Sequence, residues 1–354
     1  MTSILIVKTA ALGDVLRTTS ILPGLHARYP AARVTWLTAP GAVDLVAHHP
    51  GVAEVRTVET GDPASVAGAT AVLATSTWDL VLSFDDEEPL CRLVSAIPAR
   101  RRSGAFLDAD GRRTYSDDVE PWFGMGLLAR DGRQAADRRK RENRRTHPEI
   151  FATMLGVEPG RPELPLAVER LDRARRRLTA AGASAPCIGL NTGAGGRWRT
   201  KAIPPERCVA LVGELAARLR GAPSFVLFGG IEEAERNRAI AAGIAALPSR
   251  PKLIDTGVDN DLLDFAALLS CCDLVVTSDS LGMHVAIARR VPLVAFFAPT
   301  SAAEIDLFGL GEKVASTAPD SCSYRTDANN DSITVERLAD ACLRVLASRG
   351  VNRR

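Results

Sequence analysis

What these 354 residues lack already removes several classes of protein. No apolar run approaches the roughly 20 residues needed to cross a bilayer, so any membrane contact is expected to be peripheral at most. A net charge of +2, from 44 lysines and arginines against 42 acids, is too small for a nucleic-acid surface. The seven cysteines are odd in number, scattered and without a C-x-x-C pair, which suits a reduced, cytoplasmic protein with no structural zinc. No charged segment with a cleavable apolar one precedes the strand that begins at Ile4, so no signal peptide is expected. His48-His49 has neither an i, i+4 partner nor acidic neighbours, and no metal is expected. The first strand–helix turn lacks G-x-G-x-x-G, which disfavours a dinucleotide-binding oxidoreductase. The loop Gly193-Ala194-Gly195-Gly196 has neither that spacing nor the Gly-Lys-Ser/Thr of a P-loop.

What is present is the composition of a globular protein, 46% hydrophobic and 24% charged, on a chain long enough for two domains. Short apolar runs at 4–7, 33–38, 54–58 and 79–84 read as strands of a buried parallel sheet. Helical patterns separate them. The first runs through Val15, Leu16, Thr19, Leu22 and Leu25, where Pro23 is expected to kink or end it. Others are expected at 42–48 and 90–97. From 100 to 155 the pattern loosens around an apolar island at 122–128 and a basic run at 138–145, which suggests an insertion at an inter-domain face. Residues 160–165, with Pro162 and Pro165, read as a linker. The alternation then resumes, with strands at 187–190, 224–228, 252–255, 273–276 and 292–297. Helices are expected at 169–181, 205–219, 232–247, 262–269, from 285, and at 335–346. The expected fold class is α/β, with two Rossmann-like doubly wound domains at 1–160 and 166–334, and a C-terminal helix and tail at 335–354. Such folds bind ligands at the carboxyl ends of their strands.

The chain is organised around residues 275–286, where a strand runs through Thr277-Ser278-Asp279-Ser280-Leu281-Gly282-Met283-His284 into a helix. The first N–H groups of a helix have no intrahelical partner and make a seat for phosphate. Asp279 beside them either caps the helix or accepts hydrogen bonds from sugar hydroxyls. Asp14 follows the first strand and is either a first-turn or N-cap acid or a general base at the sheet edge. Lys201 lies at loop distance from the strand at 187–190, as surface charge or as a phosphate ligand. The acids Asp85-Asp86-Glu87-Glu88 suit the start of a helix better than a divalent ion. The basic run from Arg138 reads as a solvated helical face or as a contact for a phosphorylated acceptor.

Together these stretches resemble the ADP-heptose:lipopolysaccharide heptosyltransferases, glycosyltransferase family 9. Residues 4–15, with Lys8-Thr9 and Leu12-Gly13-Asp14, are similar to the family's opening strand and Leu-Gly-Asp. Asn191-Thr192-Gly193-Ala194 and Lys201-Ala202-Ile203-Pro204 resemble its Asn-Pro-Gly-Ala and Lys-Arg-Trp-Pro. Phe228-Gly229-Gly230 with Glu232-Glu233 resembles its acidic ribose-side turn. Residues 278–284 resemble its Asp-Ser/Thr-Gly-Leu-Met-His, and Pro299-Thr300 its Gly-Pro-Thr. Thr192 stands in place of proline, Ala202-Ile203 in place of Arg-Trp, and Leu281-Gly282 reverses the usual order.

The resemblance implies the GT-B architecture, two domains facing across a cleft, and inverting, metal-independent transfer of heptose from ADP-heptose. The acceptor hydroxyl would belong to a lipopolysaccharide core or a small molecule, and no cofactor would be needed. Asp14 would be the base and Lys201 a ligand of the donor phosphates. Asp279 would hold the sugar, and the turn of Ser280, Gly282, Met283 and His284 the diphosphate. Thr192 and Gly193 would line the donor loop, and Glu233 rather than Glu232 would meet the ribose. A nucleotide-sugar epimerase of the same architecture and a non-catalytic nucleotide-sugar-binding protein are the competing expectations.

Overall fold

The computed structural model describes residues 2–126, 131–195 and 199–350. Leu127 and Leu128 of the apolar island and Gly196 of the glycine loop lie outside them. Among the described residues, twelve strands make two six-stranded sheets. The first holds β1 (Ser3–Val7), β2 (Arg33–Thr38), β3 (Glu54–Thr57), β4 (Leu80–Ser83), β5 (Arg102–Leu107) and β6 (Arg113–Tyr115), in the order β3-β2-β1-β4-β5-β6. The second holds β7 (Cys187–Asn191), β8 (Ser224–Leu227), β9 (Lys252–Asp255), β10 (Leu274–Ser278), β11 (Leu293–Phe297) and β12 (Gly311–Ala315), in the order β12-β11-β10-β7-β8-β9.

Numbered within its own sheet, each order reads 3-2-1-4-5-6, the doubly wound arrangement. Its topological switch point falls between the first and fourth strands, β1/β4 and β7/β10. Every pairing is parallel except β5 with β6. The chain divides into two compact units, Met1–Pro165 and Leu166–Arg354.

The central strands are buried on both faces, as continuous apolar runs require. Ile4 to Val7 of β1 and all of β10 and β11 are inaccessible or nearly so. In the second unit, Leu190, Phe225, Val276 and Val294 pack with Leu211, Leu215, Leu338 and Leu346 in one core. The last two come from the terminal helix Val335–Ser348, which is therefore an integral layer of that unit.

Three local expectations are corrected and one further helix appears. The helix containing Asp14 ends at Thr18, tightens to a 3-10 turn over Thr19–Ile21, and a new helix Leu22–Arg28 begins with Pro23 in its first turn. Proline has no N–H and its ring clashes with the carbonyl four residues back, so the break falls upstream of it. Residues Pro40–Leu45 form a 3-10 helix instead of the α-helix expected at 42–48. A helix at Pro63–Leu73, capped by the Asp62 carboxylate on the Ala64 N–H at 2.9 Å, had no counterpart in the sequence reading. The stretch 100–155 is not an insertion throughout. Its β5 pairs in parallel with β4 and its β6 closes the sheet edge, before helices Arg133–Glu142 and His147–Leu155. No helix among the described residues is long and apolar enough to cross a membrane.

Candidate active site

In the second unit, β7 and β10 run side by side with Asn191 opposite Thr277, so both chains leave the sheet at the same level. The Ser278 hydroxyl donates to the Gly193 carbonyl at 2.6 Å and ties the two departing loops together. The Asn191 amide donates to the Thr277 and Ser280 hydroxyls at 3.1 and 3.0 Å. Helix Leu281–Ala288 starts directly after β10, with extended Ser280 as N-cap and no side chain capping it. Gly282 explains the reversed order in this motif. A Cβ there would overlap the Asn191 amide, so glycine is what allows that amide to reach across the switch point.

Asp279 leaves the strand end mostly buried, and Lys201 and His284 converge on it. Lys201 donates through Nζ to Asp279 Oδ2 and to its carbonyl, both at 3.0 Å. His284 Nε2 lies 4.0 Å from Oδ1. Burial by itself would raise the carboxyl pKa, but Lys201 and then His284 outweigh it and bring the value to about 2. The result is a fixed carboxylate beside a lysine and an uncapped helix start, which together offer both anion and hydroxyl recognition.

A groove of about 610 Å³ opens beside this cluster, lined by Gly193, Gly195, Glu232, Glu233, Arg236 and Pro204 among others. Glu233 accepts the Gly195 N–H at 2.6 Å and the Gly230 N–H at 2.9 Å, so its carboxylate is oriented at the groove wall. It reaches that position because Gly193 has no side chain, since a Cβ would stand 2.6 Å from Glu233 Cγ. Thr192 is wholly buried. Its hydroxyl accepts from Arg236 Nη2 at 2.8 Å, and the same nitrogen donates to the Ile203 carbonyl at 2.8 Å. Burial lowers the Arg236 pKa, yet a guanidinium stays charged at neutral pH. Met283 is also fully buried, under the helix start.

The first unit presents the equivalent edge at β1 and β4. Lys8, just past β1, forms a buried ion pair with Asp85, just past β4, and Asp85 also takes the Thr9 N–H and, at 2.7 Å, the Thr9 hydroxyl. Asp85 thus clamps the switch point and does not start the next helix, which begins at Glu88. Asp14 is in the first turn of helix Leu12–Thr18, whose N-cap is Ala11. Its carboxylate is about a third exposed and meets Arg17 Nε at 3.0 Å, while the Arg17 guanidinium lies over the Trp122 ring at 5.0 Å. In the basic run, Arg139 is paired with Glu120 and Asp131, and Arg144 donates to the Arg141 and Asn143 carbonyls at the helix end. Arg138, Arg141 and Arg145 are exposed.

Of the site residues expected from sequence, Lys201, Asp279, Ser280, Gly282, His284, Gly193 and Glu233 are gathered at one sheet edge. Thr192 and Met283 lie beneath them with their side chains turned inward, and Asp14 belongs to the first unit. Arg236, Arg207 and Asn330 escaped the sequence reading because each gains its meaning from partners distant in sequence, and Arg17 escaped it although its ion-pair partner Asp14 is three residues away. Among the described residues, no group of three or more His, Cys, Asp or Glu stands together as a metal cluster.

Comparison with known proteins places the geometry in a family. The family model of glycosyltransferase family 9 (heptosyltransferase) matches residues 131–330. Lipopolysaccharide heptosyltransferase 1 of Pseudomonas aeruginosa is 27% identical over 316 residues, 84% of this chain and 79% of that protein. The solved glycosyl transferase family 9 structure from Veillonella parvula has a TM-score of 0.77 at 18% identity, covering 98% of each chain. The E. coli ADP-heptose lipopolysaccharide heptosyltransferase II has a TM-score of 0.68 at 19% identity, covering 99% of each. The structural likeness speaks for the fold, and the family match spans more than half of the 354 residues. The chain belongs to glycosyltransferase family 9, the heptosyltransferases, and is a glycosyltransferase.

Proposed function

We propose that this enzyme transfers heptose from ADP-heptose to a hydroxyl of a lipopolysaccharide core saccharide, with inversion and without a metal or other cofactor. In this reading Asp14 takes the proton of the acceptor hydroxyl as its oxygen attacks the anomeric carbon. The bond from that carbon to the diphosphate oxygen breaks, and the electron pair leaves with ADP. Lys201 and the N–H groups at the start of helix Leu281–Ala288 carry the growing negative charge. Asp279 accepts from the sugar hydroxyls and Glu233 from the ribose. The reaction is placed in the cytoplasm, with at most peripheral contact to a membrane-borne acceptor.

The observation that supports this reading best is the convergence of Lys201 and His284 on Asp279 at an uncapped helix start, next to a groove that holds Glu233. The name of the E. coli structural neighbour includes ADP-heptose, and both it and the Pseudomonas relative carry lipopolysaccharide in theirs. Mass spectrometry after incubation with ADP-heptose, with and without a heptose-deficient lipopolysaccharide core, tests it. ADP release and an acceptor heavier by one heptosyl unit, both only when acceptor is present, are expected. Conversion of the donor sugar without acceptor would identify an epimerase. Donor binding with no ADP release in either mixture would leave only a binding protein.

A further inference from the structure

Lys201 ends a three-residue 3-10 turn, Arg199–Lys201, and its ammonium reaches two Asp279 oxygens at 3.0 Å. A long flexible side chain holds such a position only if its backbone is fixed. A residue far along the chain fixes it. The Asn330 amide nitrogen donates to the Ala202 carbonyl at 2.8 Å and to the Thr200 carbonyl at 3.2 Å, the residues on either side of Lys201. The orientation of that amide is itself determined. Arg207, only 17% exposed at its side chain, donates through Nη1 to the Asn330 carbonyl at 2.8 Å and to Asn330 Oδ1 at 3.2 Å. A guanidinium can only donate, so Oδ1 must face it and the two amide hydrogens must face the loop. Arg236 holds the same loop one residue further on, through the Ile203 carbonyl.

We propose that Asn330 is a positioning residue: held by Arg207, its amide brackets Lys201 so that the ammonium is presented to the donor diphosphate as well as to Asp279. This rests on the reading of Lys201 as a diphosphate ligand. Asn330 then influences only those ligands that Lys201 touches. Adenosine, which has no phosphate, is indifferent to it, whereas ADP is not.

Asn330→Asp is the informative substitution. It keeps the shape and the acceptor for Arg207 but removes both donors and sets a carboxylate against two carbonyls. In the full chain, calorimetry should find ADP bound about 5- to 30-fold more weakly than by wild type, the effect of two neutral hydrogen bonds. Adenosine affinity should stay within about twofold, and in a Lys201→Ala background Asn330→Asp should cost less than about a further twofold. Arg207→Lys, which keeps the charge and loses the fork, should weaken ADP in the same direction by a few-fold and covers the case of a misfolded Asn330→Asp. ADP affinity unchanged in both variants, equal losses for ADP and adenosine, or losses that multiply with Lys201→Ala would each overturn the role of Asn330. Wild-type protein that does not bind ADP, or Lys201→Ala that binds it normally, would instead remove the reading of Lys201 on which this rests.

Discussion

Asp279 keeps its charge in a place where burial favours neutralising it, because Lys201 and His284 face its two oxygens. Its folded pKa of about 2 lies below the ordinary 3.8, so its contribution to stability is complete above pH 3.8 and is lost as pH falls from there through about 2. Denaturant unfolding of wild type and Asp279→Asn should therefore give a stability gap that is constant near neutrality and narrows below about pH 4. A gap independent of pH would mean that the carboxylate is not held in this way. In the proposed mechanism Asp14 and Lys201 have different tasks. Asp14→Asn is nearly isosteric but no base, and should lower kcat about 10²–10⁴-fold with donor affinity within about twofold. Lys201→Ala should weaken ADP about 10- to 150-fold, the loss of a bond to a charged group, and slow the chemical step as well. Calorimetry beside steady-state rates separates the two, and loss of donor binding in Asp14→Asn would contradict the assignment.

The strand β10, the turn at Asp279 and the helix Leu281–Ala288 act as one element because the Asn191 side chain at the end of β7 ties them together. Asn191 spans the turn, and Gly282 is small where that amide passes. Gly282→Ala should destabilise the protein by about 1–3 kcal/mol through overpacking. Asn191→Ala in the same chain should recover part of that loss, a coupling that urea unfolding of the single and double variants will measure. Additive losses would mean that the two residues do not meet. The helix near Pro23 and the capped helix Pro63–Leu73 follow the same local rules, with proline accepted in a first turn and rejected beyond it.

At the level of the molecule, one strand order serves both units, and each carries its candidate residues where that order reverses. The first unit uses its switch point for the Lys8–Asp85 clamp and the helix of Asp14. The second uses its own for Lys201, Asp279 and the groove. Because the proposed stabilisation of the leaving group comes from lysine and helix N–H groups, turnover should fall by less than about twofold in excess EDTA. Activity lost in EDTA and restored by Mg²⁺ or Mn²⁺ would refute the metal-free mechanism.

The sequence by itself determined the fold class and the local motifs that the fold gathers at the candidate site. Buried parallel strands such as β1, β10 and β11 must be continuous apolar runs, and a strand–turn–helix with Asp279, Gly282 and His284 is a local pattern that can be read in order. It did not reveal β5, β6 or β12. The edge strands β6 and β12 bury few residues, as in β12 where Val314 alone is buried, and β5, though internal, buries only the small Ser103, Gly104 and Ala105, so none leaves a periodic apolar trace. It also suggested that Asp85 opens a helix, when its carboxylate belongs to a lysine 77 residues earlier. Asn330 and Arg207 are ordinary residues in sequence, and only the folding of a loop 128 residues away from Ala202 gives their hydrogen bonds a direction. Hydrophobic pattern and turn chemistry act over a few residues and can be read from the chain. A polar side chain's partner is settled by tertiary contact, and it was there that the arrangement around Lys201 was decided.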